Sequence, residues 1–519
     1  MAGTVTPTPL RAHPPERAGE RHRLVRYRRA RGLSGTLGVT LLGALLPGAG
    51  FLWTRRAFLG WTVLLPFLSM VGTAAWFLRD VRAAADLAFD PARLRLAAIV
   101  LAAAFGVWFL VVLSTYLLAR PRRRPVGETI VGTAFVLLVC LAVAAPAAVA
   151  GRYAWVQADL VTTVFEDNES ATAPKNVTKA DPWAGKERVN VLLLGGDGNV
   201  HRDGVRTDSM ILASIDTASG RAVTFSLPRN MMNAQFPPGS PLAELYPSGY
   251  TGYGDPAVYM LNAVYGQVPA LHPGVLGTSD NEGADALKQA VGGSLGLEVD
   301  YYVLVNLLGF RELVDAMGGV TVNINEPIAI GGNTDLGIPP DDYLQPGPDQ
   351  RLNGFEALWY SRGRYGSDDY RRMERQRCMV DAIVDEAEPL TLLRRYQQLA
   401  ATGKEIVRTD IPAGLMPAFV ELALRVKDAG SVRSVVFRIS DEFFPGNPDF
   451  DWMQERVRLA LRPPARERTP DRPAATAAPT TEPTADPTAG ATETPTEEPT
   501  PEAGAAVDAA DACAYDPLP

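Results

Sequence analysis

Residues 358–377, LWYSRGRYGSDDYRRMERQR, hold six arginines and three carboxylates. Arg372, Arg375 and Gln376 stand at i, i+3 and i+4, one face of a helix. Arg362 and Arg364 are two apart, one face of an extended segment. Asp368 or Asp369 falls where the helix starts, a favourable capping place. Exposed ion pairs contribute only about 0–1 kcal/mol, so stability gives little reason to gather so many guanidinium groups. Two like charges ~4 Å apart repel by roughly 4 kcal/mol at an effective dielectric near 20. A convergent cluster therefore calls for a multivalent anion, and Arg forks match phosphate bidentately. The plain alternative is a solvated basic helix face.

A second cluster is GGDGNVHRDGVRTDS, 195–209. Asp197 follows an apolar run, and Arg206 and Asp208 alternate so that both side chains point the same way on an extended segment. Two carboxylates facing one cleft suit Mg²⁺, which takes one or two carboxylates plus phosphate oxygens. Taken alone, a turn cap at Asp197 and a surface ion pair between Arg206 and Asp208 explain the same residues. In FSLPRN, 225–230, Pro228 ends a strand and Arg229 follows, by itself a loop arginine.

The elements needed to position these groups are legible around them. RVNVLLLGGDG (188–198) is a buried strand meeting a loop, and DSMILASIDTASGRAVTFSLPRN (208–230) reads as two strands around the turn TASG. ADALKQAVGGSLG and LLGFRELVDAMGG read as amphipathic helices ending at Gly, while DYYVLVN and VTVNI read as strands. The helices across 285–317 are rich in Leu, Val and Phe, as either an apolar groove or a plain core would be. A helix–strand stretch runs on to about 462. Strands alternating with helices make an α/β pattern.

Before this lies a different composition. Residues 1–33 carry eight Arg, and apolar runs follow at about 34–54, 58–78, 96–119 and 129–150. About 20 residues suffice to cross a bilayer. Arg55–Arg56 and RPRRRP at 120–125 mark cytoplasmic sides, as does the basic N-terminus. Pro47 and Gly48 interrupt the first run, which reads as re-entrant. Three full spans then place everything after residue 150 outside the cell. Four spans would conflict with the charge rule.

Net charge is −8, yet nine Asp/Glu and no Lys or Arg fall within 473–519. The rest is near neutral, and nothing calls for nucleic acid. Only six Lys occur, so arginine carries nearly all positive charge. The four His include none in a nucleophile motif. Cys140 lies in an apolar run; Cys378 and Cys513 lie far apart, with no zinc spacing, and their pairing stays open.

The motifs LLLGGDG, RTDSMIL, FSLPRN, LNAVYG, DYYVLVNLLGFRELVDAMGGVTVNI and LNGFEALWYSRGR…DDYRRMERQR occur in that order over 187–385. Together the chain resembles the LytR-CpsA-Psr family, the cell-wall glycopolymer ligases of Gram-positive bacteria. The resemblance implies an α/β/α fold with a mixed central sheet flanked by helices, and a Mg²⁺-dependent phosphotransferase. The substrate would be a polyprenyl pyrophosphate carrying a glycan, drawn from the membrane lipid, and the acceptor a peptidoglycan sugar hydroxyl. By motif, Asp197 and Asp208 would hold Mg²⁺. Arg206, Arg229, Arg362, Arg364, Arg372 and Gln376 would line the pyrophosphate site, with Asp208 and the first four arginines catalytic. Asp369, Arg375 and Asn230 would support them. Two departures stand out: Asn230 replaces the usual acid after Pro-Arg, and Met260 replaces a usual Lys. A lipid pyrophosphate hydrolase and a non-catalytic lipid-binding regulator are the alternatives.

The expected organisation is a basic cytoplasmic N-terminus (1–33), an all-α membrane region (34–150), an extracytoplasmic linker (151–186), a catalytic domain (187–462) and a disordered Pro/Thr/Glu-rich acidic tail (463–519), in a multi-pass membrane protein.

Overall fold

The computed structural model describes residues 28–77, 79, 81–122, 125–164, 169–196, 207–334, 336–386, 407–430, 432–462 and 504–517. The chain divides into two compact units: Met1–Trp76 with Val100–Val149, and Phe77–Ile99 with Ala150–Pro519.

The first unit is helical. Helix α1 (Gly32–Leu45) stops short of Pro47, and the short α2 (Ala49–Trp53) resumes after Gly48 at φ 99°. A Cβ on Gly48 would meet the Gly60 carbonyl oxygen at 2.4 Å, so only glycine allows both this left-handed turn and the close approach. Next come α3 (Ala57–Phe77), α4 (Val81–Ala88) of the other unit, α5 (Pro91–Ala119) and α6 (Val126–Val164). Among the described residues, three helices are long and apolar enough to cross a membrane: Ala57–Trp76, Pro91–Ala119 and Val126–Thr163. Within this unit Trp108 Nε1 donates to the Ala44 carbonyl at 2.9 Å, and Val112, Tyr116, Val136 and Cys140 pack together.

In the second unit, the expected irregular linker is partly wrong. Residues 151–164 continue α6. Residues 169–186 fold onto the domain, where Ala173, Val177 and Trp183 pack against a cluster of Val189, Val191, Tyr301 and Leu422. Ser170 Oγ donates to Asp285 at 2.6 Å and to Asp410 at 3.1 Å. Asp410 also takes the buried Lys288 ammonium at 2.6 Å. Small polar residues here satisfy buried charge, which a sequence reads only as polarity.

The strands are β1 (Arg188–Gly196), β2 (Thr207–Asp216) and β3 (Ala222–Ser226). Then come α7 (Pro241–Leu245), α8 (Leu261–Leu271), α9 (Glu282–Leu295), β4 (Tyr301–Asn306) and α10 (Leu307–Met317). After β5 (Val320–Ile324), β6 (Ile328–Asn333), β7 (Ile338–Leu344) and β8 (Gly347–Leu352) follow α11 (Gly354–Arg362) and α12 (Asp369–Glu386). The fold closes with β9 (Val407–Thr409), α13 (Met416–Ala429), β10 (Val432–Val436), α14 (Phe450–Leu461), β11 (Val507–Asp508) and α15 (Ala509–Ala512).

Seven described strands form one mixed sheet, ordered β11-β10-β3-β2-β1-β4-β9. The β1–β4 and β10–β3 pairs are parallel, the others antiparallel. Alternation decides the layers. Leu192 and Leu194 of β1, with Tyr302 and Leu304 of β4, face a core that includes α8, α9 and α14. Val189, Val191 and Leu193, with Tyr301 and Val303, face the opposite side. Helices on both faces make the α/β/α arrangement. A third cluster joins β5 and β8 to α10, α11 and α12.

The acidic tail needs correction at its end. Residues 463–503 lie outside the described residues. Residues 504–517 are folded: β11 pairs antiparallel with β10, and Cys513 forms a disulfide with Cys378. Ala506 packs against the main core. A two-residue strand and one Cys carry no signal inside a Pro/Thr/Glu-rich composition.

Candidate active site

The C-terminal ends of the parallel strands β1 and β4 lie side by side, with Gly196 opposite Asn306. On the other edge of β1 the register with β2 slips: Gly195 pairs with Ser209 but Gly196 pairs with Thr207. Asp208 is the extra residue of this bulge, a device that re-aims a side chain. Its side chain is 38% exposed and lines a cavity of about 440 Å³.

The cavity has two chemistries. One part presents Asp208, Ser361, Arg362, Arg364, Arg372 and Gln376. The other is apolar: Leu193, Val303 and Val305 of the sheet, Phe310 and Leu313 of α10, and Met379, Val380 and Ile383 of α12. Arg372, Gln376, Met379, Val380 and Ile383 recur at helical spacing, so one face of α12 runs from the charged part into the apolar part. Of the two Leu/Val/Phe-rich helices across 285–317, only α10 lines the cavity. Helix α9 is buried in the main core on the other side of the sheet.

Arg362 and Arg364 do not sit on an extended segment. Arg362 ends α11, whose start carries a capping box between Asn353 and Glu356, and Arg364 lies in the following loop. The aromatic residues beside them are thus helical, and Trp359 stacks under the Arg362 guanidinium, 5.2 Å from ring centroid to Cζ. Helix propensity and the cap outweigh the two-residue spacing. Asp368 caps α12, accepting from the Tyr370 and Arg371 amides at 2.9 Å each.

Carboxylates order the arginines. Arg229 Nη1 donates to Asp208 Oδ1 at 2.7 Å, and its Nε lies 3.6 Å from Asp369. Asp369 also pairs with Arg372 at 2.9 Å and with Arg364 at 3.9 Å. Arg372 is buried, 3% exposed, and donates to the Asp208 backbone carbonyl at 3.2 Å. Burial pulls its guanidinium down to about 10, against the pull of Asp369; Arg229 lowers it further. It stays protonated at neutral pH. Arg372 Nε is buried with no hydrogen-bond partner.

Arg229 is absent from the cavity lining and stands behind Asp208. Arg375 faces away: it donates to the Tyr360 carbonyl at 2.9 Å and to the Gly363 carbonyl, and pairs with Glu326 at 3.1 Å. It thereby fixes the turn between Arg362 and Arg364. Gln376 Nε2 holds the Ser361 carbonyl at 3.1 Å. Asn230 follows Arg229 with its Oδ1 buried and unpartnered. Met260 precedes α8 and is not in the cavity lining. Asp197 and Arg206 lie outside the described residues. Sequence reasoning missed Glu326, Ser361 and Asn306. Asn306 had a usable signal, the end of a strand parallel to β1, where open α/β sheets put their crevices.

The LytR_cpsA_psr family model matches residues 154–457, more than half of the 519-residue chain. The chain belongs to the LytR_cpsA_psr family. Its start at 154 agrees with the folding of residues 169–186 onto the domain. Similar proteins carry the name polyisoprenyl-teichoic acid–peptidoglycan teichoic acid transferase TagU. The one from Oceanobacillus iheyensis is 29% identical over 233 residues, 44% of this chain and 60% of the relative. That from Bacillus cereus is 25% identical over 248 residues, 47% of this chain and 66% of the relative. That from Enterococcus faecalis is 33% identical over 131 residues, 25% of this chain and 40% of the relative. The chain thus spans less than two thirds of the length of these relatives. Among solved structures, TagV of B. subtilis is 21% identical with a TM-score of 0.37, covering 53% of this chain and 97% of that one.

Proposed function

We propose that this LytR_cpsA_psr protein transfers a glycan-1-phosphate from a polyprenyl pyrophosphate carrier to a sugar hydroxyl of peptidoglycan. The observation that carries this reading is the two-part cavity, with arginines at one part and an apolar wall at the other. A prenyl chain buries about 0.8 kcal/mol per CH₂ against such a wall. Arg362, Arg364 and Arg372 then meet the pyrophosphate. The acceptor hydroxyl oxygen attacks the sugar-bearing phosphorus, the bond to the bridging oxygen breaks, and prenyl phosphate leaves, the hydroxyl proton passing to the departing phosphate. Charge grows on oxygens that the arginines already face. The names of the TagU relatives agree with a polyisoprenyl-linked donor and a peptidoglycan acceptor.

Magnesium belongs to the proposal. Asp208 opens on the cavity, and oxygen ligands suit the ion. Among the described residues no group of three or more ligating side chains exists, so Asp208, with Asp197, would hold it together with substrate oxygens and water. When bound it would neutralise charge on phosphate oxygens. Asn230, next to Arg229, carries a buried amide oxygen and no charge.

The three apolar helices would anchor the chain, with the α/β domain outside the cell, as the arginines at 55–56 and 120–125 suggest.

The test uses full-length protein in detergent, a labelled lipid-linked glycan and peptidoglycan, with and without EDTA. Prenyl phosphate release with label on peptidoglycan, stopped by EDTA, is expected. Label released into water without transfer would replace the reading with a hydrolase. Binding without turnover would replace it with a lipid-binding regulator.

A further inference from the structure

Helix α12 has a second face. Arg371, Glu374, Arg375 and Cys378 recur at i, i+3, i+4 and i+7, turned away from Arg372, Gln376 and Val380. This face borders a separate polar cavity of about 290 Å³, whose other wall is the end of the chain, Asp511–Ala514 and Asp516. Cys378 and Cys513 join the two walls.

Residues 504–517 form a strap over α14, β10, α12 and β5. Gly504 lies against Trp452 of α14, where an added Cβ would meet the ring at 2.9 Å. Val507 and Asp508 pair with Ser434 and Arg433 of β10. The Ala512 carbonyl accepts from Arg377 Nη2 at 3.4 Å. The Cys513 and Ala514 carbonyls accept from Asn323 at 2.9 Å and Asn325 at 3.2 Å. These contacts are few. A two-residue ladder and a handful of hydrogen bonds offset little of the entropy of ordering the segment. The disulfide closes a loop of 135 residues and is the one strong bond.

From strap to anion site the connection is short. Cys378 is two residues past Gln376 and one turn past Arg375, and Arg375 holds the Gly363 carbonyl between Arg362 and Arg364. Arg377, half-buried and next to Gln376 and Cys378 in sequence, shares its guanidinium between Ser434 and the strap carbonyl of Ala512.

We propose that Cys378 and Cys513 are positioning residues for the anion site: their disulfide holds the chain end as a strap on the back of α12, and its reduction by a dithiol loosens α12 and weakens pyrophosphate binding. In the reduction one thiolate of the dithiol attacks Sγ of Cys513, the Cys378–Cys513 bond breaks, and the Cys378 thiolate takes a proton. The second thiol then attacks the mixed disulfide, freeing Cys513 as a thiol. The dithiol ends as a disulfide, having given two electrons to the cysteine pair. The proposal rests on the reading of the cavity as a pyrophosphate site.

The experiment compares full-length protein in detergent before and after dithiothreitol, and after reoxidation. It reads amide exchange in 369–386 and 504–517, together with affinity for inorganic pyrophosphate. Reduction is expected to speed exchange in both segments on the order of tenfold, to weaken pyrophosphate affinity about fivefold or more by the loss of a well-placed charged contact, and reoxidation to restore both. Cys513→Ser should match the reduced protein and ignore dithiothreitol. Unchanged exchange in 369–386 after reduction, or faster exchange with unchanged affinity, would overturn the proposal. Faster, reversible exchange in a protein that binds no pyrophosphate in its oxidised form either would support the tether while refuting the anion site.

Discussion

Arg229 Nη1 lies 2.7 Å from Asp208 Oδ1, and the same guanidinium reaches Asp369 at 3.6 Å. Two carboxylates from distant elements, a strand bulge and a helix start, are thus bridged by one arginine that does not itself line the cavity. Asp208 is neutralised on its Arg229 side, so a cation bound there adds to an existing ion pair.

Asp208→Asn keeps the shape of the bulge and removes the charge. The domain should stay folded, with melting temperature shifted by a few degrees at most. Prenyl phosphate release should fall by orders of magnitude, because metal stabilisation of a leaving oxygen contributes several kcal/mol. Wild-type turnover in this variant would remove both the metal role and the catalytic role of Asp208.

Arg372→Met removes a buried guanidinium that pairs with Asp369 and touches the Asp208 carbonyl. Inorganic pyrophosphate should bind more weakly by ~1.5–3 kcal/mol, the range for hydrogen bonds to charged groups. Stability should drop as well, since Asp369 keeps only longer contacts to Arg229 and Arg364. Calorimetry of binding and thermal melts separate the two effects.

Val380→Trp fills the apolar part of the cavity about two helical turns from Arg372. Affinity for a prenyl pyrophosphate should collapse while affinity for inorganic pyrophosphate holds. Equal loss for both ligands would mean that α12 had moved, and equal retention would show that the prenyl chain lies elsewhere.

Asp381 on α12 has its carboxyl pushed up to about 6, mainly by burial, with Asp385 and the strap residue Asp508 adding to it; Arg377 opposes them. The folded state therefore holds this proton more tightly than the unfolded chain, where the group titrates near 3.8. Its contribution is most favourable below pH 4 and is lost as pH rises from about 4 to about 6. Asp381→Asn should flatten that part of the stability–pH profile. It should stabilise the protein at pH 7 by on the order of 1 kcal/mol, allowing for the screening of a half-buried group. Urea melts across pH 4–7 give the answer.

Membrane sidedness is checked by labelling. In intact cells, an impermeant maleimide should leave Arg56→Cys unmodified and label Ser248→Cys, an exposed position of the α/β domain. Labelling at 56 from outside would reverse the proposed orientation.

The sequence alone determined what depends on local pattern. Apolar runs and glycine stops marked β1, β4, α9 and α10, because burial on one face imposes a period on the chain. Arg372 and Gln376 at i and i+4, after an acidic start, marked α12 and its anion-facing side, but the same pattern put Arg375 on that side and the structure turns it toward Glu326. Motif order marked the family. Only the tertiary structure decided which of those arginines meet. Arg362 and Arg364 look extended by spacing but are set by the end of a capped helix, and Arg229 proved to stand behind Asp208. It also decided that the chain end folds back. Val507, Asp508 and Cys513 gain their partners from β10 and α12, more than 70 residues away in sequence. No local propensity encodes a contact of that range; it exists only once the sheet has presented an edge and α12 a free face.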